Sequence, residues 1–234
     1  PSLAAETAPE TFVVKFDTTV GEFAMKCHRE WAPNGADRIY NLVKIGYYDD
    51  VGFFRVVQKP KPFVVQFGIH GNPRVMDKWR SANVAPDESQ ERGKKKQSNT
   101  PGMVTFAMAG SPDTRSTQLF INYGNNAGLD DMGFAPVCEI IDDGMAVVNK
   151  IHAGYGEGPS GKQPLIQSQG NVFLRKTYPE LDYIKTARLA EAAPSPADAA
   201  GSASAATSAS AAPATSAAPA TSAAPAASAK PKAK

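Results

Sequence analysis

The stretch GFFRVVQKPKPFVVQFG, residues 52–68, carries the strongest prediction about the fold. Two apolar runs rich in Val and Phe flank a polar segment with two prolines, a pattern typical of two β-strands joined by a turn. Because side chains alternate between the faces of a strand, Arg55 is expected to share a face with Phe53 and Val57. A cation in such an apolar setting requires an ion-pair partner or a functional role.

Further strand-like and helix-like runs extend in both directions from this hairpin. Strands are predicted at 12–17, 23–27, 52–57, 63–69, 102–109, 117–123, 134–141 and 171–174. A first helix is predicted from apolar residues spaced i, i+3, i+4 and i+7 over 36–43, with Asn34 as its cap and Gly46 as its stop. A second is predicted over 145–152, ended by Gly154. The pattern favours a mainly β fold: a closed, eight-stranded antiparallel barrel capped by two α-helices.

The composition divides the 234 residues into three parts. Residues 1–10 form an N-terminal extension, and 11–187 form the folded domain. From 188 to 234 we predict a disordered Ala/Pro/Ser/Thr-rich tail, because no Val, Ile, Leu, Met or aromatic residue follows Leu189. The tail repeats AAPATS at 211–216 and 217–222, and its simplest interpretation is a linker without activity of its own.

Charge and cysteine usage exclude several classes of function. The chain has 25 Lys and Arg against 23 Asp and Glu, without a basic stripe mixed with aromatics, so nucleic acid is not an expected partner. No apolar run approaches the roughly 20 residues that span a bilayer. Cys27 and Cys138 fit either two thiols or one disulfide, and neither has a nearby second thiol for zinc.

Beyond the hairpin, one strand has an unexpected feature: in TQLFINY, alternation sets the apolar Phe120 on the outer face beside Gln118 and Asn122.

This strand, the hairpin and two further segments together resemble a known protein family. The residues of 48–68, with Arg55 and Gln66, resemble the active-site signature of cyclophilins. TFAMAG at 105–110, TQLFIN at 117–122 and LDDMGFAPV at 129–137 resemble three later cyclophilin blocks, in the same order. The resemblance covers about 12–174.

The resemblance implies a peptidyl-prolyl cis-trans isomerase that uses no metal and no organic cofactor. In it, Arg55 matches the catalytic arginine and Gln66 and Gln118 match polar groups that hold the peptide. Ala107 and Met108 match a strand whose backbone pairs with the substrate. The proline pocket would be formed by Phe63, Val64, Phe120 and Leu129, and Phe134 or Gly133 falls where the family commonly has histidine. The implied partners are proline-containing or unfolded polypeptides, and we expect a monomer.

Three departures limit what the resemblance implies. Five residues, 58–62, separate the two strands of the hairpin where the family usually has two; this longer turn should leave both strand registers intact. Phe54 replaces the usual histidine before the arginine. Gly128 stands where many cyclophilins that bind cyclosporin tightly have tryptophan, so cyclosporin binding is not carried over.

Alternatives to these predictions remain open at this point. Arg55 could form a structural ion pair, and the same groove could belong to a module that binds proline-containing segments without catalysis. GEGPSGK at 156–162 is similar to a phosphate-binding loop, but Gln163 and Pro164 follow it, so we interpret it as a flexible glycine loop.

The start at Pro1 and the Ala-rich tail resemble exported or envelope proteins of bacteria. We therefore expect a periplasmic location, with the cytoplasm as the alternative; a disulfide would favour export.

Overall fold

The computed structural model describes residues 1–190 of the chain. Its nine strands are β1 Thr11–Thr18, β2 Gly21–His28, β3 Val51–Gly52, β4 Arg55–Val56, β5 Val64–Phe67, β6 Met103–Phe106, β7 Leu119–Asn122, β8 Pro136–Ile141 and β9 Tyr183–Leu189. The α-helices within 1–190 are α1 Pro33–Lys44, α2 Pro73–Trp79, α3 Gly144–Val148 and α4 Gln163–Thr177. Short 3-10 turns lie at Glu88–Gln90, Pro112–Thr114, Ala127–Met132 and Ser160–Lys162.

All strands belong to one strongly curled antiparallel sheet in the order β3-β9-β1-β2-β8-β6-β7-β5-β4. The two outermost strands, β3 and β4, are separated in the chain by only Phe53 and Phe54, so the chain itself joins the two ends of the sheet. The predicted mainly β, antiparallel, helix-covered fold is confirmed. Nine strand segments appear instead of eight because 52–57 is divided between β3, which pairs with β9, and β4, which pairs with β5.

The last predicted strand was wrong. Residues 171–174 lie in α4, where Asn171 and Leu174 are buried while Val172 is 79% exposed, a spacing that fits a helix rather than a strand. The strand that closes this part of the sheet is β9, which follows α4 and ends at Leu189. The folded domain was predicted to end at 187, and most of the predicted tail lies outside the described residues.

The first predicted helix exists, but Asn34 does not cap it. The helix starts at Pro33, and the backbone N–H groups of Asn34 and Gly35 donate to the Asp87 carboxylate at 2.7 and 3.2 Å. Asp87 is in turn paired with Arg115 at 3.0 Å, and both side chains are 1% exposed. A distant carboxylate thus satisfies the free amides of the helix start. Gly46, with a φ of +68°, ends the turn after α1 as predicted.

The second predicted helix is shorter than expected: α3 covers Gly144–Val148 only. Two further helices, α2 and α4, were not predicted at all. They enclose a smaller apolar cluster with Phe54, Ile69, Met76, Ile166, Leu174 and Leu181. The main core lies inside the curled sheet and includes Phe16, Phe53, Phe67 and the inner face of α1.

The two cysteines lie directly opposite each other on β2 and β8 and form a disulfide. Both are fully buried in the main core. This pairing decides between the two states that the sequence left open.

Candidate active site

The short strand β4 places Arg55 directly opposite Gln66 on β5. The longer turn between these strands is closed at its base, because Val57 N–H donates to Val64 O and Phe63 N–H donates to Val57 O, both at 2.9 Å. The five-residue turn therefore leaves the register of the two strands intact, as predicted. The Phe63 ring also stays beside Arg55, with its centroid 5.3 Å from the guanidinium carbon.

Alternation does not continue through the break between β3 and β4. Phe53 is fully buried in the main core, and Phe54 packs into the smaller cluster beside α4. Arg55 instead lies on the outer side with Gln66. The prediction that Arg55 shares a face with Phe53 was wrong, since the two residues between the strands are not in regular extended pairing.

A row of amide side chains continues from Arg55 across the outer face of the sheet. Arg55 Nη1 donates to Gln66 Oε1 at 3.2 Å, and Gln66 Nε2 donates to Gln118 Oε1 at 2.9 Å. Gln118 Nε2 then donates to Gln163 Oε1 at 3.1 Å, at the start of α4. These contacts fix the direction in which each amide faces.

A cavity of about 200 Å³ lies next to this row. It is lined by Gln163 and by nine of the ten residues predicted for the site: Arg55, Phe63, Val64, Gln66, Ala107, Met108, Phe120, Leu129 and Phe134. The tenth, Gln118, lines an adjoining cavity of about 380 Å³ that shares Gln66, Ala107, Met108 and Gln163 with the first. The structure thus brings all ten residues together.

Phe120 forms part of the first cavity but is less exposed than its position in the sequence suggested. It points away from the main core, yet it is only 4% exposed. Phe134 covers it with an edge-to-face contact at 5.8 Å between ring centroids. The two rings give the cavity an apolar wall.

Arg55 has an ion-pair partner that the sequence did not identify. Glu157 accepts from Nε and from Nη2 of Arg55, both at 2.7 Å. Hydrogen bonds from Arg55 lower the pKa of the Glu157 carboxyl and outweigh the opposite effect of burial. The structural ion-pair alternative is therefore partly correct, although it does not occupy the whole guanidinium.

A guanidinium carries five N–H groups. Three of those of Arg55 are used, two by Glu157 and one by Gln66. One N–H on Nη1 and one on Nη2 have no hydrogen-bond acceptor within residues 1–190. Arg55, held by three hydrogen bonds, therefore lines a cavity whose other walls are mostly apolar side chains, and two of its N–H groups are unused in the described part of the chain.

The opposite wall of the cavity is held by a buried polar network. Asp130 lies within the turn Ala127–Met132 that carries Leu129. Its carboxylate accepts from Ser98 Oγ, Lys95 Nζ, and the backbone N–H and Nδ2 of Asn99. Asn99 Nδ2 also donates to the backbone carbonyl of Phe134 at 2.7 Å. Burial alone would raise the pKa of Asp130, but these hydrogen bonds lower it to about 2.

Sequence reasoning missed Glu157 and Gln163, which lie in and just after the GEGPSGK motif. That motif was interpreted as a flexible loop, but it contains Glu157 and leads directly into Gln163, and both belong to the site. Glu157 is 102 residues from Arg55 in the chain, and no local pattern connects the two.

Within residues 1–190, no helix is both long and apolar enough to cross a membrane.

Comparison with known proteins gives a consistent result. The family model described as "Cyclophilin type peptidyl-prolyl cis-trans isomerase/CLD" matches residues 13–170. Peptidyl-prolyl cis-trans isomerase B of Escherichia coli is 28% identical over 175 residues, which cover 72% of this chain and 100% of that protein. A peptidyl-prolyl cis-trans isomerase of Acinetobacter baylyi is 28% identical over 143 residues, 59% of this chain and 71% of that protein.

The fold is also similar to solved structures. A cyclophilin-type peptidyl-prolyl cis-trans isomerase of Cryptosporidium parvum superimposes with a TM-score of 0.55 at 16% identity, covering 78% of this chain and 99% of that chain. Cyclophilin AquaCyp293 of Hirschia baltica gives a TM-score of 0.52 at 15% identity, covering 82% and 78%. At these identities the likeness concerns the fold alone.

Proposed function

This chain belongs to the cyclophilin-type peptidyl-prolyl cis-trans isomerase family, a family of isomerases, and on that premise we propose that Arg55 is its catalytic residue. In this proposal the apolar cavity beside Arg55 receives the proline ring. The substrates are proline-containing or unfolded polypeptides, and the protein assists their folding. The observation that supports this most is that Arg55, with two N–H groups that no described residue accepts, lines the same cavity as Phe63, Phe120 and Leu129.

The reaction needs no nucleophile, because no bond is made or broken. Rotation about a prolyl amide is opposed by a barrier of about 18–20 kcal/mol, since conjugation between nitrogen and carbonyl must be lost. The cis and trans forms themselves differ by only about 0.5–1 kcal/mol. At the twisted transition state the proline nitrogen becomes pyramidal and gains a lone pair. A fixed cationic donor stabilises that state more than either planar ground state.

Arginine is suited to this role because it remains charged and its donors lie in a rigid plane. A hydrogen bond from a charged group contributes about 1.5–3 kcal/mol, and each 1.36 kcal/mol changes a rate tenfold. Arg55 therefore accounts for an acceleration of about ten- to a hundredfold in the isomerisation rate. The remaining acceleration comes from the grip of the cavity on the proline ring and from the exclusion of water.

Replacement of Arg55 tests the catalytic role directly. We expect Arg55→Ala to reduce the isomerisation rate about ten- to a hundredfold, while Arg92→Ala, at an exposed site, leaves it unchanged. The assay is NMR exchange spectroscopy between the cis and trans signals of one proline peptide. Full activity in folded Arg55→Ala protein would refute the role of Arg55.

The same assay separates catalysis from the second candidate, a module that only binds proline-containing segments. Such a module would shift and broaden the peptide signals without exchange cross-peaks between isomers. Wild-type protein that binds the peptide at a stoichiometric ratio yet leaves the exchange rate at its uncatalysed value would favour that candidate.

We also propose that the protein functions in an oxidising compartment outside the bacterial cytoplasm. The Cys27–Cys138 disulfide supports this, because such bonds persist mainly in secreted and periplasmic proteins. The cytoplasm remains the alternative.

A further inference from the structure

Glu157 is the one charged group that contacts Arg55 in the described part of the chain, and it binds the guanidinium in a bidentate geometry. Its two carboxylate oxygens accept from Nε and Nη2 at 2.7 Å each. Paired, parallel hydrogen bonds of this kind fix the plane of a guanidinium as well as its position. Gln66 holds Nη1 from the other side, so the plane is defined by three contacts.

The loop that carries Glu157 is attached to the strand that carries Arg55. Val56 N–H, one residue after Arg55, donates to Gly156 O at 3.3 Å. Gly156 has a φ of +49°, a conformation that glycine adopts without strain, and Glu157 follows it directly. The loop is thereby held against the free edge of β4, opposite the side that pairs with β5.

The carboxylate itself is also fixed. Ser160 Oγ lies 2.8 Å from the Glu157 carbonyl oxygen and 3.0 Å from Oε2, in reach of both acceptors. Ser160 N–H donates to the same carbonyl at 3.1 Å. Gln163, three residues further on, lines the cavity and completes the amide row. The segment 156–163 is thus a continuous support for Arg55 and for the amides beside it.

We propose that Glu157 is a positioning residue that holds Arg55 in the orientation required for prolyl isomerisation. This inference rests on the proposed function of Arg55. Glu157 takes no part in the rotation itself, because its oxygens are occupied by Arg55. It removes rotamers that the long arginine side chain would otherwise sample, so less freedom is lost when the transition state forms.

An opposite effect has to be weighed, since a carboxylate also reduces the positive potential of Arg55. The Glu157 side chain is 56% exposed, and that of Arg55 is 25% exposed. Solvent and salt screen the charge of such a group, whereas orientation by hydrogen bonds is not screened in the same way. We therefore expect orientation to outweigh neutralisation. The net effect of Glu157 on the isomerisation rate is modest, because exposed ion pairs contribute little free energy.

The test compares Glu157→Ala and Glu157→Gln with a matched control, Glu6→Ala. Glu6 also accepts with both oxygens, from Lys44 at 2.7 Å, and has a similar side-chain exposure of 59%, but it lies away from the cavity. The measurements are kcat and KM for one proline peptide, the free energy of unfolding, and the hydrogen-exchange rate of Arg55 Nε–H by NMR. Arg55→Ala identifies that NMR signal by its loss.

For Glu157→Ala we expect kcat to fall about two- to fivefold, on the scale of an exposed ion pair. KM should change less than twofold, because the cavity walls are untouched. Exchange of Arg55 Nε–H should accelerate. Glu157→Gln, which keeps one acceptor oxygen, should be intermediate, and Glu6→Ala should match the wild type in kcat and in Nε–H exchange.

An unchanged or higher kcat in Glu157→Ala would overturn the positioning role, as would a fall in kcat with unaltered Nε–H exchange. These outcomes are distinct from failure of the proposed function. That failure appears as full activity in Arg55→Ala, and it would overturn the positioning role as well.

Discussion

The carboxylate of Asp130 allows a quantitative prediction, because it supports the wall of the cavity and is almost completely buried. Its side chain is 2% exposed and accepts from Lys95 Nζ at 2.8 Å, Ser98 Oγ at 2.6 Å, and Asn99 N and Nδ2 at 2.9 and 2.8 Å. Asp130→Asn keeps the shape but replaces one acceptor oxygen with a donor that faces other donors. The substitution therefore removes the charge and breaks part of the network.

The magnitude follows from the pKa of Asp130, which is lowered from 3.8 to about 2. The difference between 3.8 and about 2 is somewhat less than two pKa units, which at 1.36 kcal/mol per unit corresponds to ~2 kcal/mol of stability. Since the folded-state pKa is depressed, this contribution is complete above about pH 4 and is lost as the pH falls towards 2. In a domain of this size the loss amounts to about 4–8 °C in Tm.

The assay is thermal or urea unfolding of the wild type and Asp130→Asn between pH 7 and pH 3. We expect the free energy of unfolding of the wild type to exceed that of Asp130→Asn by ~2 kcal/mol at pH 7. This difference should narrow steadily below pH 4, because only the wild type has this carboxylate to protonate. Asp131→Asn, at the exposed neighbouring position, is the control. The reasoning is refuted by a difference that stays constant with pH, or by an equal loss in Asp131→Asn.

Three further predictions concern the disulfide, the compartment and the cavity. Replacing both Cys27 and Cys138 with Ala should lower the free energy of unfolding by about 2–4 kcal/mol in urea titration, because the bond closes a loop of 111 residues; unchanged stability would contradict this. In protein taken from its native cells and unfolded in urea without a reductant, both cysteines should resist alkylation if the proposed oxidising compartment is correct; alkylation of both would contradict it. Leu129→Ala should raise KM for a proline peptide about fivefold with little change in kcat, because the apolar contact of this partly buried side chain contributes ~1 kcal/mol to peptide binding. A loss confined to kcat would contradict the assignment of the cavity as the proline pocket.

Several features of this protein follow from local sequence. The alternation in 52–68 and in 117–123 predicted strands, and the structure pairs Arg55 with Gln66 and Gln66 with Phe120. These contacts come from short strands whose side chains have a fixed period of two residues. The ten predicted site residues have a different origin: they were taken position by position from the resemblance to cyclophilins.

Other features depended on partners far away in the chain. The run NVFL at 171–174 is compatible with a strand by composition, but the structure forms a helix there and packs Leu174 into the cluster with Phe54 and Met76. Asp87 caps α1 although it lies more than 50 residues further along the chain, and for this reason the predicted local cap at Asn34 was wrong. The pairing of the two cysteines likewise required β2 and β8 to be neighbours.

The sequence by itself determined the mainly β class, the set of residues around Arg55 and the absence of a strong charge imbalance. The tertiary structure decided the disulfide, the division of 52–57 into β3 and β4, and the contact between Arg55 and Glu157. The physical reason is the range of each interaction. Alternation and helical spacing act between near neighbours in the chain, whereas hydrogen bonds and ion pairs join whichever groups the completed fold brings within about 3 Å.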